Sequence, residues 1–378
     1  MKITKTKHYS WKAGELAEGC KLCIQGAKSV LFITGLCSKH CFYCPISDKK
    51  WNKDIIYINE WPDANINDII EEIRLCGSKG IGITGGDPLI KIDRCSKFIK
   101  LLKREFKEFH IHLYTPLNLV DEDKLRKLSE SGLDEIRFHP ELNNKEEWNK
   151  IELAFKYKWK IGIEIPAIPG LKENIIDLVN YLNGKVDFLN INELEISDTN
   201  VHSLIEKGFR AKNEVSYGVK GSEELALEIL DYIVKNNIKM NAHYCTTKLK
   251  DRIQLARRIK RRALNVKRDY DILTKEGMLR RGVIYLPELY PSFGYNEKIK
   301  NLDINNKNDY IKKLNEIRDE LIKTYKLKED AIIIDSKNIR LITSIDIIKK
   351  IKEGYFKKAI AEEYPTYDNM IVELQFLE

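Results

Sequence analysis

Three cysteines stand close together near the N-terminus, in the segment GLCSKHCFYCPI that spans residues 35–46. They are Cys37, Cys41 and Cys44, with the spacing C-x3-C-x2-C. A structural zinc ion and an iron–sulfur cubane each usually take four protein ligands. Three thiolates would leave one iron of a cubane open to a ligand from outside the chain. The alternatives are a zinc site completed by a histidine and a cluster whose fourth cysteine is distant in sequence.

A second pair, Cys20 and Cys23, has C-x2-C spacing and precedes the first group. Such a pair at a turn is half of a zinc or iron–sulfur site. Cys245 is the favoured further ligand, because it ends a predicted strand. His243 points to the same side of that strand if the strand is regular, and His8 is another candidate. The alternative is a redox pair or two incidental thiols.

Eight cysteines in 378 residues are too few for a disulfide scaffold. In a reducing compartment, clustered cysteines are better explained as metal ligands. Cys76 and Cys95 lie on the apolar faces of predicted helices, and we expect both to belong to the core.

The elements that must position these residues begin after residue 27. Short β-branched runs alternate there with amphipathic helical stretches. Repeated strand–helix units predict a parallel sheet with right-handed crossovers, and six or seven units fit a partial (β/α)6-type barrel. The predicted strands end near Gly35, Gly86, Pro116, Pro140, Pro166, Ile196 and Cys245.

In such folds the chemistry lies at the carboxyl ends of the strands. The cysteine group follows the first predicted strand, the segment GGDP follows the second, and Cys245 ends the last. The motifs and the architecture therefore predict a single site on one rim of the sheet.

The last hundred or so residues have a different pattern, with the element order β-α-β-β-α-β that is typical of a ferredoxin-like α+β domain. The final strand of that pattern is predicted at residues 369–377. The sequence thus predicts an N-terminal cysteine extension over 1–27, a barrel over 28–269 that ends in a basic helix, and an α+β domain over 270–378.

The basic helix carries the whole positive excess of the chain. The net charge is +8, and residues 246–270 contain ten Lys or Arg against two Asp, a net of +8. This density predicts a phosphate-binding ridge that would contact RNA. The alternative is a solvated helix whose arginines pair with acids. The residues predicted to contact nucleic acid are Arg257, Arg258, Arg261 and Arg262.

Composition is that of an ordinary globular protein, with 32% charged residues. No apolar run approaches the roughly twenty residues needed to span a bilayer, and the first residues lack the apolar core of a signal peptide. We therefore expect a cytoplasmic protein.

The C-x3-C-x2-C spacing, an aromatic residue (Tyr43) just before the third cysteine, and TGGDP at the end of the next strand together resemble the radical S-adenosylmethionine (SAM) superfamily. The resemblance covers about residues 28–245. The motif region is similar to that of pyruvate formate-lyase activating enzymes and their archaeal relatives. Those activating enzymes are shorter, so their substrate does not carry over.

This resemblance implies roles for particular residues. The three cysteines Cys37, Cys41 and Cys44 would hold a [4Fe–4S] cluster, and SAM would chelate its open iron. Asp87 would accept a hydrogen bond from the SAM amine, although the family usually has glutamate there, on a longer arm. Further residues expected to contact SAM or substrate are Tyr43 near the adenine, Gly85 and Gly86 near the methionine moiety, and Thr115, Arg137, His139, Glu164 and Asn192 at later strand ends.

The resemblance also implies the reaction class and a partner. The reduced cluster would give one electron to SAM, whose homolysis yields methionine and a 5′-deoxyadenosyl radical that abstracts a hydrogen atom from the substrate. The electron would come from a reductant protein such as ferredoxin or flavodoxin.

For the substrate, the basic helix favours RNA, in particular transfer RNA. The alternative is a protein or peptide, activated or modified by hydrogen abstraction as in glycyl-radical activation. A third hypothesis, from another class, is a zinc-stapled RNA-binding protein without radical chemistry. The sequence does not predict the atom attacked, the fate of SAM or the oligomeric state.

Overall fold

The computed structural model describes the backbone of residues 1–378 and every side chain except that of residue 296. The chain divides into two compact units, residues 1–258 and residues 259–378. No helix in the part of the chain so described is long and apolar enough to cross a membrane.

The first unit contains helices and strands in alternation. Its strands are β1 (Ile3–Lys5), β2 (Trp11–Ala13), β3 (Lys28–Phe32), β4 (Tyr57–Ile58), β5 (Trp61–Pro62), β6 (Gly80–Thr84), β7 (His110–Pro116), β8 (Glu135–His139), β9 (Lys160–Ala167), β10 (Phe188–Glu193), β11 (Ala211–Asn213), β12 (Ser216–Val219) and β13 (Asn241–Cys245). Its α-helices are α1 (Glu18–Ile24), α2 (Ile66–Cys76), α3 (Ile92–Glu105), α4 (Glu122–Glu130), α5 (Lys172–Tyr181), α6 (Val201–Glu206), α7 (Ser222–Lys235) and α8 (Thr247–Leu249). It also has 3₁₀ helices at Pro88–Lys91 and Lys145–Ala154, and a π-helix at Lys250–Leu255.

Seven strands of this unit form a parallel sheet in the order β13-β10-β9-β8-β7-β6-β3. Antiparallel strands extend it at both edges, with β2 and β1 beyond β13 and β4 and β5 beyond β3. The predicted partial (β/α) barrel is confirmed, with seven parallel strands in place of the six of the (β/α)6 type.

The two faces of the parallel sheet differ in polarity, because alternate residues of a strand point to opposite sides. On one face, apolar side chains such as Ile111, Leu113 and Phe138 are buried in the main hydrophobic core. The opposite face, which we call the inner face, is polar. It carries His112, Tyr114, Arg137, His139, Glu164, Asn190, Asn192, His243 and Cys245, which the strand register places on the same side.

Helix α1 covers the inner face. A Cβ atom at Gly19 would lie 2.6 Å from both Arg137 Nη2 and His112 Nδ1, and a Cβ atom at Gly80 would lie 2.8 Å from a methyl group of Leu22. The sequence predicted a turn for the C-x2-C segment, whereas the structure has a helix there that lacks a side-chain N-cap. Contacts with the sheet, rather than local propensity, therefore account for this helix.

The boundary between the units differs from the predicted division at residue 269. Helix α9 (Ala256–Val266) crosses the boundary after Arg258. The residues of α9 after Arg258 belong to the second unit and pack within it. Lys260 lies against Gly277, and Arg262 donates to the carbonyl of Pro365. These contacts explain why the second unit begins eleven residues earlier than predicted.

The second unit is an α+β fold. Its strands are β14 (Ile272–Leu273), β15 (Leu279–Tyr285), β16 (Ile332–Asp335), β17 (Arg340–Thr343), β18 (Lys357–Glu363) and β19 (Ile371–Leu377), and its further helices are α10 (Tyr295–Lys300), α11 (Ile304–Tyr325), the 3₁₀ helix Glu329–Ala331 and α12 (Ile345–Lys350). The sheet is antiparallel in the order β16-β17-β15-β18-β19, with β14 beside β15.

The ferredoxin-like β-α-β-β-α-β order is present, but with a correction. The fourth strand of the pattern is β18, and the strand predicted in that role is β19, an additional edge strand. Strand β18 was not predicted because KKAIAEE is rich in Lys, Ala and Glu, which favour helices. Its small residues Ala359 and Ala361 are fully buried.

Candidate active site

The three cysteines of the C-x3-C-x2-C motif lie in the loop that follows β3. All three are half-buried free thiols, and the Cys44 amide donates to the Cys41 carbonyl in a turn (3.0 Å). Burial raises the pKa of each thiol, and the Asp87 carboxylate raises that of Cys37 further. A bound metal would offset this effect, because thiolates are the form that ligates.

The GGD loop after β6 runs directly beside this cysteine loop. The Gly86 amide donates to the Thr34 carbonyl (2.9 Å) and the Asp87 amide to the Leu36 carbonyl (2.8 Å). A Cβ atom at Gly85 or Gly86 would collide with those carbonyls. Close approach of the two loops thus explains both glycines, and contact with the methionine moiety of SAM stays a prediction.

Asp87 is fully buried at the end of β6. Its Oδ1 accepts from the Leu89 amide (3.0 Å) and the Thr115 hydroxyl (2.9 Å). Its Oδ2 has no hydrogen-bond partner among the described residues. An unpaired buried carboxylate oxygen is costly, and burial raises the pKa of Asp87. A cationic amine would satisfy this oxygen, so the site fits the SAM amine that the resemblance implies.

Tyr43 connects the cysteine loop to the end of β8. Its hydroxyl donates to His139 Nε2 (2.9 Å), and His139 Nδ1 donates to the Glu164 carbonyl (2.7 Å). The second bond leaves Nε2 as the acceptor for Tyr43. Two predicted site residues, Tyr43 and His139, are thus in direct contact.

Three more predicted residues meet on the inner face. Arg137 is 2% exposed and donates to Glu135 (Nε to Oε1, 2.6 Å) and to Glu164 (Nη1 to Oε2, 2.7 Å). Asn192 donates to the other Glu164 oxygen (3.0 Å). Burial favours neutral Glu135, but Arg137 and His110 outweigh it and hold the pKa of Glu135 at about 2. The hydrogen-bonding groups of Arg137, Glu164 and Asn192 are thus used within this cluster. A direct contact of these residues with SAM or substrate stays a prediction.

Three further residues of the inner face were not predicted from the sequence. Lys28 is buried, and its Nζ lies 3.2 Å from His112 Nε2 and 3.5 Å from the Tyr114 hydroxyl. A hydrogen bond and a charge interaction with Cys23 raise the pKa of Lys28 against the effect of burial. The strict alternation in HIHLYTP, where every second residue is polar, was the signal that could have identified His112 and Tyr114.

The second cysteine group lies on the same face. Cys20 Sγ is 3.5 Å from Arg137 Nη2 and 3.9 Å from Asn190 Oδ1. Cys245 Sγ is 3.7 Å from Gln254 Nε2. Burial raises the pKa of Cys20 to about 11 and that of Cys245 to about 12. The charge of Cys23 contributes to both shifts, so the three thiols share one region.

Single-ion geometry is absent from both cysteine groups. Among the described residues, no three His, Cys, Asp or Glu side chains are arranged to hold one metal ion. The ligands of a cubane bind different irons and are therefore spread more widely than the ligands of one ion. Neither cysteine group is therefore a preformed site for one metal ion.

In the first unit, the structure does not agree with the predicted phosphate-binding ridge. Arg258 is 8% exposed and forms a two-bonded ion pair with Glu60 (Nη1 to Oε2, 3.0 Å). Arg257 donates to the Ile24 carbonyl (2.7 Å). Arg258 is buried against the Glu60 carboxylate and is therefore not available to a phosphate.

In the second unit, too, the structure does not agree with the predicted ridge. Arg262 is 5% exposed, and its guanidinium donates to the Pro365 carbonyl. Arg261 is half-buried. Two of the four predicted arginines are thus buried structural groups, in agreement with the alternative that the helix pairs its charges within the protein.

A cleft of about 560 Å³ opens beside the carboxyl end of β13. Charges of both signs line it, among them Lys212, Glu193 and Asp251. Glu193 alternates with the inner-face residue Asn192 along β10 and so points away from that face. The cleft is separate from the site described above.

Comparisons with known proteins agree with this geometry. A family model described as the radical SAM superfamily matches residues 31–182. A protein of Methanocaldococcus jannaschii, provisionally named a glycyl-radical enzyme activating enzyme, is 42% identical over 374 residues, which are 95% of this chain and 92% of that protein.

Solved structures resemble this chain only distantly. Methylornithine synthase is 15% identical, with a TM-score of 0.40 over 61% of this chain and 79% of that one. Coproporphyrinogen III oxidase from Escherichia coli is 12% identical, with a TM-score of 0.37 over 58% of this chain and 56% of that one. The sequence relative and the family model decide the matter: this chain is an enzyme of the radical SAM superfamily.

Proposed function

We propose that this enzyme abstracts a hydrogen atom from a protein or peptide, in the manner of a glycyl-radical enzyme activating enzyme. The name of the M. jannaschii relative carries the proposal, because the two chains are 42% identical over almost their whole lengths. Similarity of this extent includes both units of the chain and not the cysteine motif alone.

In this proposal Cys37, Cys41 and Cys44 hold a [4Fe–4S] cluster, and Asp87 Oδ2 accepts from the amine of SAM. When bound and reduced, the cluster and SAM supply a 5′-deoxyadenosyl radical that removes a hydrogen atom from a carbon. The chain positions these groups through the paired cysteine and GGD loops. The contact between Tyr43 and His139 holds the cysteine loop against the end of β8.

Further partners follow from the same proposal. A low-potential carrier such as ferredoxin or flavodoxin would reduce the cluster. A cytoplasmic location fits eight cysteines without a disulfide among the described residues, because thiols stay reduced in that compartment. A second metal centre at Cys20, Cys23 and Cys245 completes the proposed cofactor set.

RNA is not the substrate that we propose. The RNA hypothesis depended on four arginines, of which Arg258 and Arg262 are buried. The exposed cations that remain, among them Arg257, Lys260 and Lys267, do not by themselves favour RNA over a protein substrate.

The test uses two deuterated probes with the reconstituted, reduced enzyme and SAM. One is a glycine-containing peptide that carries deuterium on the glycine α-carbon, and the other is transfer RNA grown on deuterated medium. We expect deuterium in 5′-deoxyadenosine with the peptide only. Label from the transfer RNA, with none from the peptide, would overturn the proposal. The Cys41→Ala variant should transfer no label from either probe.

A further inference from the structure

His243 on β13 carries a buried nitrogen without a partner. Its Nδ1 donates to Asn190 Oδ1 on the neighbouring strand β10 (2.7 Å). Its Nε2 has no hydrogen-bond partner among the described residues, although the side chain is only 4% exposed. A buried polar atom of this kind calls for an explanation, such as an absent ion. Because Nδ1 carries the proton, Nε2 presents a lone pair.

Two cysteines lie near the His243 side chain in the fold. Cys245 follows His243 by two residues on the same strand, so both side chains lie on the inner face. Cys20 Sγ lies 3.9 Å from Asn190 Oδ1, the same oxygen that orients His243. One amide oxygen therefore neighbours both a thiol of α1 and the imidazole of β13.

The C-x2-C helix reaches Cys245 as well. Ile24, the last residue of α1, packs with Cys245 and Leu249 in one buried cluster. Cys20 and Cys23 are three residues apart on α1 and thus lie on the same side of the helix. The helix therefore brings its two thiols to the end of β13 that bears the third.

Buried cations lie beside the thiols of α1. Arg137 Nη2 is 3.5 Å from Cys20 Sγ, and Lys28 interacts with Cys23. Arg137 is balanced by two carboxylates, Glu135 and Glu164, and Lys28 lies within hydrogen-bond distance of the His112 imidazole and the Tyr114 hydroxyl. Cationic side chains beside these thiols complement the negative charge of an iron–sulfur cluster that is held by cysteine ligands.

We propose that Cys20, Cys23, Cys245 and His243 Nε2 bind a second iron–sulfur cluster on the inner face. The Nδ1–H to Asn190 bond is the outer contact that orients metal-binding histidines. A cluster is favoured over zinc because no three of the described side chains converge on a single-ion site. This inference rests on the second centre in the proposed function and identifies its fourth ligand and its kind.

Iron counting on the whole, anaerobically reconstituted chain tests the centre. Two cubanes predict about eight irons per chain, and the Cys20→Ser/Cys23→Ser variant should keep about four. The control is Cys76→Ser: Cys76 is also buried, and its Sγ donates to Glu72 Oε1 (3.1 Å), a bond that serine can form. The control should retain about eight irons. The Cys37→Ala/Cys41→Ala/Cys44→Ala variant should retain about four, at the second centre alone.

The histidine ligand has its own readout. In that triple variant, pulsed paramagnetic resonance of the reduced centre should show coupling to a directly bound nitrogen. His243→Cys should remove this coupling while the irons remain, because cysteine restores a fourth thiolate. A spectrum unchanged by His243→Cys would overturn the assignment of His243.

The centre itself would be overturned by about four irons in the wild-type chain, by no loss in the Cys20→Ser/Cys23→Ser variant, or by one zinc per chain in place of the second four irons. None of these results bears on the peptide test above, since SAM cleavage requires only the first cluster. A failed peptide test with about eight irons would conversely reject the substrate and leave the second centre standing.

Discussion

At the scale of single residues, Asp87 links a structural observation to SAM binding. One of its oxygens is used by the Leu89 amide and Thr115, and the other is buried and unpartnered among the described residues. The side chain of aspartate is shorter than that of the usual glutamate, so it was open whether the Asp87 carboxylate can reach the SAM amine. The Asp87 amide donates to the Leu36 carbonyl (2.8 Å), so the residue lies beside the cysteine loop, and its contact with the SAM amine stays a prediction.

Asp87→Asn should weaken SAM binding roughly ten- to a hundredfold, because a hydrogen bond between charged groups contributes about 1.5–3 kcal/mol. Asparagine preserves the shape and an acceptor for the Leu89 amide, so the loop should keep its fold. Titration of the cluster-loaded variant with SAM measures the effect. Wild-type affinity in a variant with full iron content would show that the orphan oxygen does not bind SAM.

Arg137 is the residue on which the buried charges of the inner face depend. Arg137→Gln would leave the Glu164 carboxylate without its paired cation and Glu135 with His110 alone. Breaking a buried pair costs about 3–5 kcal/mol, and denaturant unfolding at neutral pH should show a loss of that size. The exposed pair Lys172–Glu228 offers a matched control, since Lys172→Gln should change stability by less than about 1 kcal/mol.

The cost of Arg137→Gln should depend on pH. The pKa of Glu135 is about 2 in the folded protein, below its ordinary value of 4.5. The stabilisation is therefore fully present above pH 4.5 and is lost as the pH falls towards 2. The difference between wild type and variant should shrink across that window. A difference that is constant from pH 7 to pH 3 would contradict the pairing.

Spacing and residue type were sufficient to predict part of the site from the sequence alone. Cys37, Cys41 and Cys44 lie in one loop, and Tyr43 meets His139. Lys28 could not be foreseen, because a lysine at the start of a strand normally faces solvent. Only the arrival of α1 on the inner face buries it, and that contact joins segments distant in sequence.

At the scale of elements, α1 has the least local support. It has seven residues, contains a glycine and has no side-chain cap, so sequence propensity could not predict it. The seven parallel strands, in contrast, were predictable from short β-branched runs between helical stretches, and five of the seven predicted strands end near a Gly or Pro. Strand β18 was missed since its composition favours a helix.

Gly19→Ala tests the packing of α1. The new Cβ atom would lie 2.6 Å from Arg137 Nη2 and His112 Nδ1, so overpacking should cost about 1–3 kcal/mol of unfolding free energy. The exposed residue Glu18 provides the control on the same helix, and Glu18→Ala should change stability by less than about 0.5 kcal/mol. A stabilised Gly19→Ala variant would mean that α1 does not lie against the sheet.

At the scale of the whole molecule, net charge was misleading. Ten cations between residues 246 and 270 suggested a nucleic-acid surface, but Arg258 is paired with Glu60 and Arg262 is buried. Charge density is visible in a sequence, whereas the acid that neutralises it, nearly two hundred residues away, is not. The zinc-stapled, non-enzymatic hypothesis is likewise set aside by membership of the radical SAM superfamily.

Bulk transfer RNA should therefore bind only non-specifically, with a dissociation constant of about 10⁻⁴–10⁻⁶ M at physiological salt. Binding measured by fluorescence at two salt concentrations checks this. Nanomolar affinity, lost in an Arg257→Gln variant and retained in a Lys172→Gln control, would contradict it and restore the RNA hypothesis.

The assignment of the catalytic cluster is best tested by measuring the 5′-deoxyadenosine that the reconstituted protein forms from SAM under a strong reductant. We expect the wild type and Cys76→Ser to form 5′-deoxyadenosine, and Cys41→Ala to form none. Asp87→Asn should form product only at raised SAM concentration. Product formation that survives Cys41→Ala, or no product from wild-type protein that contains iron and sulfide, would contradict the assignment of Cys37, Cys41 and Cys44 as the ligands of the catalytic cluster.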